Sequence, residues 1–125
     1  MDQLSDALGC TRCALSKTRT HVVIGSGSIS SRFVIVGEAP GRHEDEGGEP
    51  FVGRSGQLLF RLIAEEVGLT RDQCYVTNVV KCRPPNNRTP KSSEIAACRQ
   101  WWDLQCRDMH PDVVVTLGLT STKAL

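Results

Sequence analysis

The sequence predicts an α/β fold in which helices cover a parallel sheet. Three observations predict it. Short β-branched runs alternate with longer segments whose apolar residues recur at helical spacing. Glycine- and proline-bearing polar motifs follow the first two of those runs. The length of 125 residues, 39% of them hydrophobic, suits one domain with a real core.

The elements follow in chain order. Arg32 to Val36 (RFVIV) reads as a buried strand that ends in the turn GEAPG. Ser55 to Val67 carries Leu58, Leu59, Leu62, Ile63 and Val67 at helical spacing, with Ser55 as candidate N-cap and Gly68 as the stop. Cys74 to Val80 (CYVTNVV) reads as a second strand. Ser93 to Met109 reads as a second helix, opened by Thr89-Pro90 and the Ser92-Ser93 pair and closed near His110. Asp112 to Leu117 (DVVVTL) is a third strand, and Gly118 to Leu125 begins a further helix.

Charge and targeting signals narrow the function classes. The formal net charge is +1, so there is no bulk polyanion-binding signature, and a nucleic-acid partner would have to meet a local basic patch. No N-terminal apolar targeting segment and no stretch of membrane-spanning length is visible, so a soluble, cytoplasmic protein with no membrane partner is expected.

Six cysteines without a secretory signal favour metal binding over a disulfide framework. Cys10 and Cys13 form a CxxC pair, and Cys82 and Cys98 are distant single residues beside basic or polar loops. One centre assembled across the fold is expected from these four. Cys74 and Cys106 stand in apolar sequence and are set apart. Zinc and an iron–sulfur cluster both accept four thiolates. Structural zinc sites more often use two close pairs, and the spacing leaves both open.

Ligands of such sheets bind beyond the carboxyl ends of the strands. Two polar motifs fall there, Gly37 to Gly53 and Thr77 to Pro90. The first has no phosphate-binding glycine pattern, and Glu38, Glu44, Asp45, Glu46 and Glu49 would repel an anion. Phe51 is an aromatic in a polar loop, suited either to plugging the core or to stacking on a planar ligand. Asn78 sits in a β-branched strand, where asparagine is unfavourable. Aimed into a pocket, its amide can donate and accept at once and so read a base edge.

GEAPG, an acidic stretch with PFVG, SGQLL, TNVVKCRPP with NRTP, and EIAAC together resemble the family 4 uracil-DNA glycosylases, from Cys10 to the end of the chain. The resemblance implies a three-layer αβα sandwich with a central parallel sheet. It implies a [4Fe-4S] cluster on Cys10, Cys13, Cys82 and Cys98, uracil-containing DNA as partner, and hydrolysis of the uracil glycosidic bond at the start of base excision repair. It implies that Phe51 stacks on uracil, that Asn78 reads its polar edge, and that Gly37, Glu38, Ala39, Pro40 and Gly41 line the pocket. Glu38 and Glu44 are the candidate catalytic carboxylates, with at least one of Glu44, Asp45 and Glu46 expected to be a merely solvated charge. Ala39 stands where some branches of the superfamily carry a water-activating aspartate. Arg54, Lys81, Arg83, Arg88 and Lys91 are the expected phosphate contacts, and a monomer is expected.

Family members continue past the position of Leu125 with a further strand and a His-Pro motif. The sequence is therefore expected to be one domain, residues 1–125, incomplete at its C-terminus, with reduced or absent activity and an exposed apolar sheet edge. A catalytically silent, cluster-bearing DNA-binding module is the main alternative, and a zinc-stapled domain another. A crosslinking relative is disfavoured by Ala39 and by a CRPPNNRTP loop without histidine.

Overall fold

Side-chain alternation in two central strands builds the layers. In the computed structural model, which describes residues 3–125, the first long strand is Phe33–Gly37 and the next is Cys74–Asn78. With the short strand Gly25–Ser26 as β1, these are β2 and β3. They pair in parallel from Phe33↔Cys74 to Gly37↔Asn78. Val34, Val36 and Tyr75 point to one face, where they meet Trp102 and Met109. Phe33, Ile35, Cys74 and Val76 point to the other, where they meet Leu59, Phe60 and Ile63. The period of two thus buries both faces, one under Ser92–Asp108 and the other under Arg54–Glu66.

The first of those covering helices is α3 and the second α2; α1 is Arg42–Gly47 and α4 is Leu119–Ala124. Strand β4 (Val113–Thr116) pairs in parallel with the other side of β2. Strand β1 pairs antiparallel with β3, so the order is β1-β3-β2-β4. The architecture is the expected three-layer αβα sandwich, with one antiparallel edge added to its parallel sheet. On the opposite edge Val113 is 47% and Val114 37% exposed.

A third cluster joins Ala7, Leu15, Val22, Val80, Cys82, Cys98 and Trp101. It packs the 3-10 turns Leu4–Gly9 and Ala14–Lys17 against α3 and the chain after β3. Two boundaries differ from the sequence reading. Helix α2 starts at Arg54 with Gly53 in the cap position, and no side chain caps it, so Ser55 lies inside the helix. The regular part of β3 ends at Asn78 rather than Val80, although Val79 and Val80 still donate to Gly37 O and Glu38 O beside it. Among the described residues no helix is long and apolar enough to cross a membrane.

Helix α3 starts on a charged cap. Glu94 Oε1 accepts from the Lys91 backbone N–H at 2.8 Å, and both carboxylate oxygens accept from Arg88, at 2.7 and 2.8 Å. The Arg88 bonds, with the backbone donor, hold the Glu94 carboxyl down at about 2, from an ordinary value of 4.5. A carboxylate whose folded-state pKa is depressed stabilises the fold above its unfolded value and loses that contribution as pH falls. The melting temperature is therefore expected to drop as pH falls from about 4.5 to about 2. In Glu94→Gln that drop is shallower, so the two melting curves converge in acid. Parallel curves across this window would contradict the account.

Candidate active site and cysteine centre

The register Gly37↔Asn78 places the ends of β2 and β3 side by side. A pocket of about 350 Å³ opens there, between the two polar motifs and Leu117 after β4. Gly37, Glu38, Ala39, Gly41, Glu44, Phe51, Arg54 and Asn78 all line it. The chain passes from β2 to β3 on one side and then from β3 back across β2 to β4 on the other, so the pocket lies where the strand order reverses. Pro40 is buried and outside the lining, which corrects its expected place in the pocket.

Gly37 is the floor of the site. A Cβ there would sit 2.5 Å from Asn78 Oδ1 and in collision with Phe51 Cζ. The aromatic ring and the amide therefore converge over a residue that must lack a side chain. Phe51 fills the core role left open for it by packing on the α2 cluster, and it also lines the pocket. The Asn78 side chain makes no hydrogen bond with any described residue.

The acidic stretch separates into three roles. Glu44 accepts from Gly41 N at 3.1 Å, Val52 N at 3.0 Å and Gly53 N at 2.7 Å, so its carboxylate ties both walls of the pocket together. Asp45 is buried and accepts from Thr20 N and His21 N, fastening α1 to the N-terminal segment. Glu46 is the solvated one, paired with Arg42 on the exposed face. Glu38 has one carboxylate oxygen engaged by the Thr120 hydroxyl at 2.7 Å, and the residue is part of the pocket lining. The sequence held no signal for Thr120, which lies far along the chain.

The basic set is more divided than its clustering suggested. Lys81 is 1% exposed, and its ammonium donates to Thr77 Oγ1, Asn78 O and Gln105 Oε1. Burial pushes it down to about 8. It is an interior strut beneath the pocket, not a phosphate contact. Arg88 is also withdrawn, since both terminal nitrogens are held by Glu94. Arg83 is half-buried with Nε on Asn87 Oδ1 at 2.6 Å, while Arg54 and Lys91 are exposed.

Cys10, Cys13, Cys82 and Cys98 line one cavity with Arg19 and Trp101. All four are free thiols. Among the described residues no three His, Cys, Asp or Glu side chains converge as around a single ion. Arg19 Nη1 donates to Cys82 Sγ at 3.4 Å and to Cys10 O at 2.6 Å. The Lys81 backbone N–H donates to Cys98 Sγ at 3.3 Å. The Trp101 indole N–H is buried without a partner among the described residues. Burial pushes the Cys82 thiol up to about 11 and the Cys98 thiol upward, so burial favours the protonated form of these two and a metal must displace their protons. Four thiols, two sulfur-directed donors and one unpaired N–H fit an acceptor-rich metal group. Cys74 is buried away from this cavity, and Cys106 is exposed, which corrects its apolar setting.

Comparison with known proteins agrees with this architecture. The family model for the uracil DNA glycosylase superfamily matches residues 24–125. The type-4 uracil-DNA glycosylase of Sulfurisphaera tokodaii is 49% identical over 118 residues, which are 94% of this chain and 54% of that protein. The type-4 uracil-DNA glycosylase of Thermotoga maritima is 52% identical over 112 residues, 90% of this chain and 58% of that protein. A type-5 uracil-DNA glycosylase of Pyrobaculum aerophilum is 33% identical over 113 residues, 79% of this chain and 50% of that protein. The chain thus spans little more than half the length of these relatives. Fold, site position and identity agree: the chain belongs to the uracil DNA glycosylase superfamily, with its type-4 members among its near relatives.

Proposed function

We propose that this chain binds uracil flipped out of DNA and hydrolyses its N-glycosidic bond, the first step of base excision repair. The observation that carries the reading is the convergence of the Phe51 ring and the Asn78 amide over Gly37. Work on a base requires taking it out of the stack into a pocket. The Phe51 ring offers a face for stacking. The Asn78 amide donates and accepts, which matches a uracil edge that presents a carbonyl beside an N–H.

Cleavage develops positive charge on the sugar and negative charge on the departing base. Asn78 supplies a donor to the base. Glu38, oriented by Thr120, is the carboxylate for the sugar side or for an attacking water. Glu44, whose oxygens already accept three backbone N–H groups, positions the walls. Cys10, Cys13, Cys82 and Cys98 would hold a [4Fe-4S] cluster. When bound, the cluster supplies a covalent tie between the N-terminal turns and the segment that carries the second polar motif.

Release of uracil from a single-uracil oligonucleotide, with a thymine strand as control, tests the reading. Equal binding of the two strands with no release would sink it. That same outcome, uracil-independent binding without base release, would favour the silent DNA-binding module. Phosphate contacts fall to Arg54, Arg83 and Lys91. Arg83→Ala is expected to lower the slope of log affinity against log salt by about one. Lys81→Met is expected to leave that slope unchanged, because its ammonium never meets solvent. A lower slope in Lys81→Met would show that this lysine leaves its interior site to bind DNA.

A further inference from the structure

We propose that Arg71 is a positioning residue of the pocket, holding the Phe51 turn in the conformation that presents the ring beside Asn78. The proposal rests on the reading of this pocket as a uracil site. Phe51 has φ of +55°, in the left-handed region that bulky side chains rarely occupy. A residue in that state persists only where its surroundings hold it.

Two neighbours hold it from opposite sides. Gly56, in the first turn of α2, presses on the turn so closely that a Cβ there would lie 2.7 Å from Phe51 Cα. Arg71, in the 3-10 turn Arg71–Gln73 before β3, donates from Nη1 to Phe51 O at 3.0 Å and from Nη2 to Pro50 O. A planar guanidinium spans two neighbouring oxygens, which a lysine ammonium on a flexible stem does not. Its carbon also lies 4.7 Å from the centre of the Phe60 ring on α2, which fixes the plane of the fork. Burial lowers the Arg71 guanidinium from its ordinary value, Glu49 and Asp72 oppose that in part, and the group stays charged.

Arg71 does not line the pocket, so its effect passes through Phe51. Released from the clamp, the turn relaxes towards negative φ and swings the ring away from Gly37 and Asn78. The same clamp joins the first polar motif to the strand that carries Asn78, which sets the distance between stacking face and edge reader.

The test is nuclear Overhauser contact between the Phe51 ring and Gly37 Hα in the 125-residue wild-type chain, Arg71→Lys and Arg71→Gln, with free uracil as the binding probe. The wild type is expected to show the contact. Both variants are expected to lose it while remaining folded, and to bind uracil about tenfold more weakly, the scale of a lost stacking interaction. In a Phe51→Leu background, Arg71→Lys is expected to add no further loss. If Arg71→Gln does not fold, Arg71→Lys decides. A folded Arg71→Lys chain that keeps the ring contact overturns the proposal. A wild type that binds no uracil removes the functional reading of the pocket, and the ring contact by itself then decides the role of Arg71.

Discussion

Replacing Cys82 with serine is expected to abolish the brown chromophore of protein reconstituted anaerobically with iron and sulfide, and to lower its melting temperature by about 15 °C. Cys82 is 6% and Cys98 8% exposed, and both belong to the cluster that packs the N-terminal turns on α3. A metal link from the Cys10–Cys13 pair to Cys82 closes a long loop. By the chain-entropy account, a cross-link of that length is worth about 4 kcal/mol. Without a metal group, Cys82→Ser would change only one buried sulfur, a loss of about 1 kcal/mol. The size of the shift therefore reports what the four thiols hold. Cys106→Ser is the control, because that residue is exposed and outside the cavity. Colour and stability both retained in Cys82→Ser would remove the cluster from this site, and a colourless, zinc-loaded wild type would replace it with a single ion.

Asn78→Asp is expected to slow uracil release by about 10²–10³-fold, the usual cost of losing one donor to a developing anion. The carboxylate accepts but does not donate, and it repels negative charge on the departing base. Asn78→Leu removes donor and acceptor together and is expected to weaken free-uracil binding as well. Neither change touches the main-chain carbonyl of residue 78, which accepts from the Lys81 ammonium, so the strut below the pocket survives. Melting temperatures close to wild type, alongside lost release, would locate the effect in recognition. An Asp variant that releases uracil at the wild-type rate would refute the role given to this side chain.

The strands and the long helices were legible because each repeats a local pattern. RFVIV and CYVTN alternate across a sheet that is buried on both faces, and Leu59 and Ile63 recur at helical spacing against it. Helix α1 was not legible. Its sequence RHEDEG has no apolar stripe, and it is held instead by Asp45 and Glu44, whose partners lie in other segments. Strand β1 was missed for a related reason: two residues carry no period, and Gly25 and Ser26 become a strand only by pairing with Thr77 and Val76.

The sequence by itself determined the alternation of strands and helices, the placing of the two polar motifs just after strands, and the presence of a CxxC pair with two distant cysteines. Those follow from local periodicity and from residue chemistry that does not change on folding. Only the tertiary structure decided which charges face solvent and which hold the frame. Lys81 and Arg83 are two positions apart and equally basic. One is enclosed by Thr77, Asn78 and Gln105, which converge only when β3 lies under α3, and the other stays at the surface. Arg71 reaches carbonyls twenty and more positions away for the same reason. A side chain's charge is written in its own residue, whereas its burial and partners depend on residues brought together by the fold.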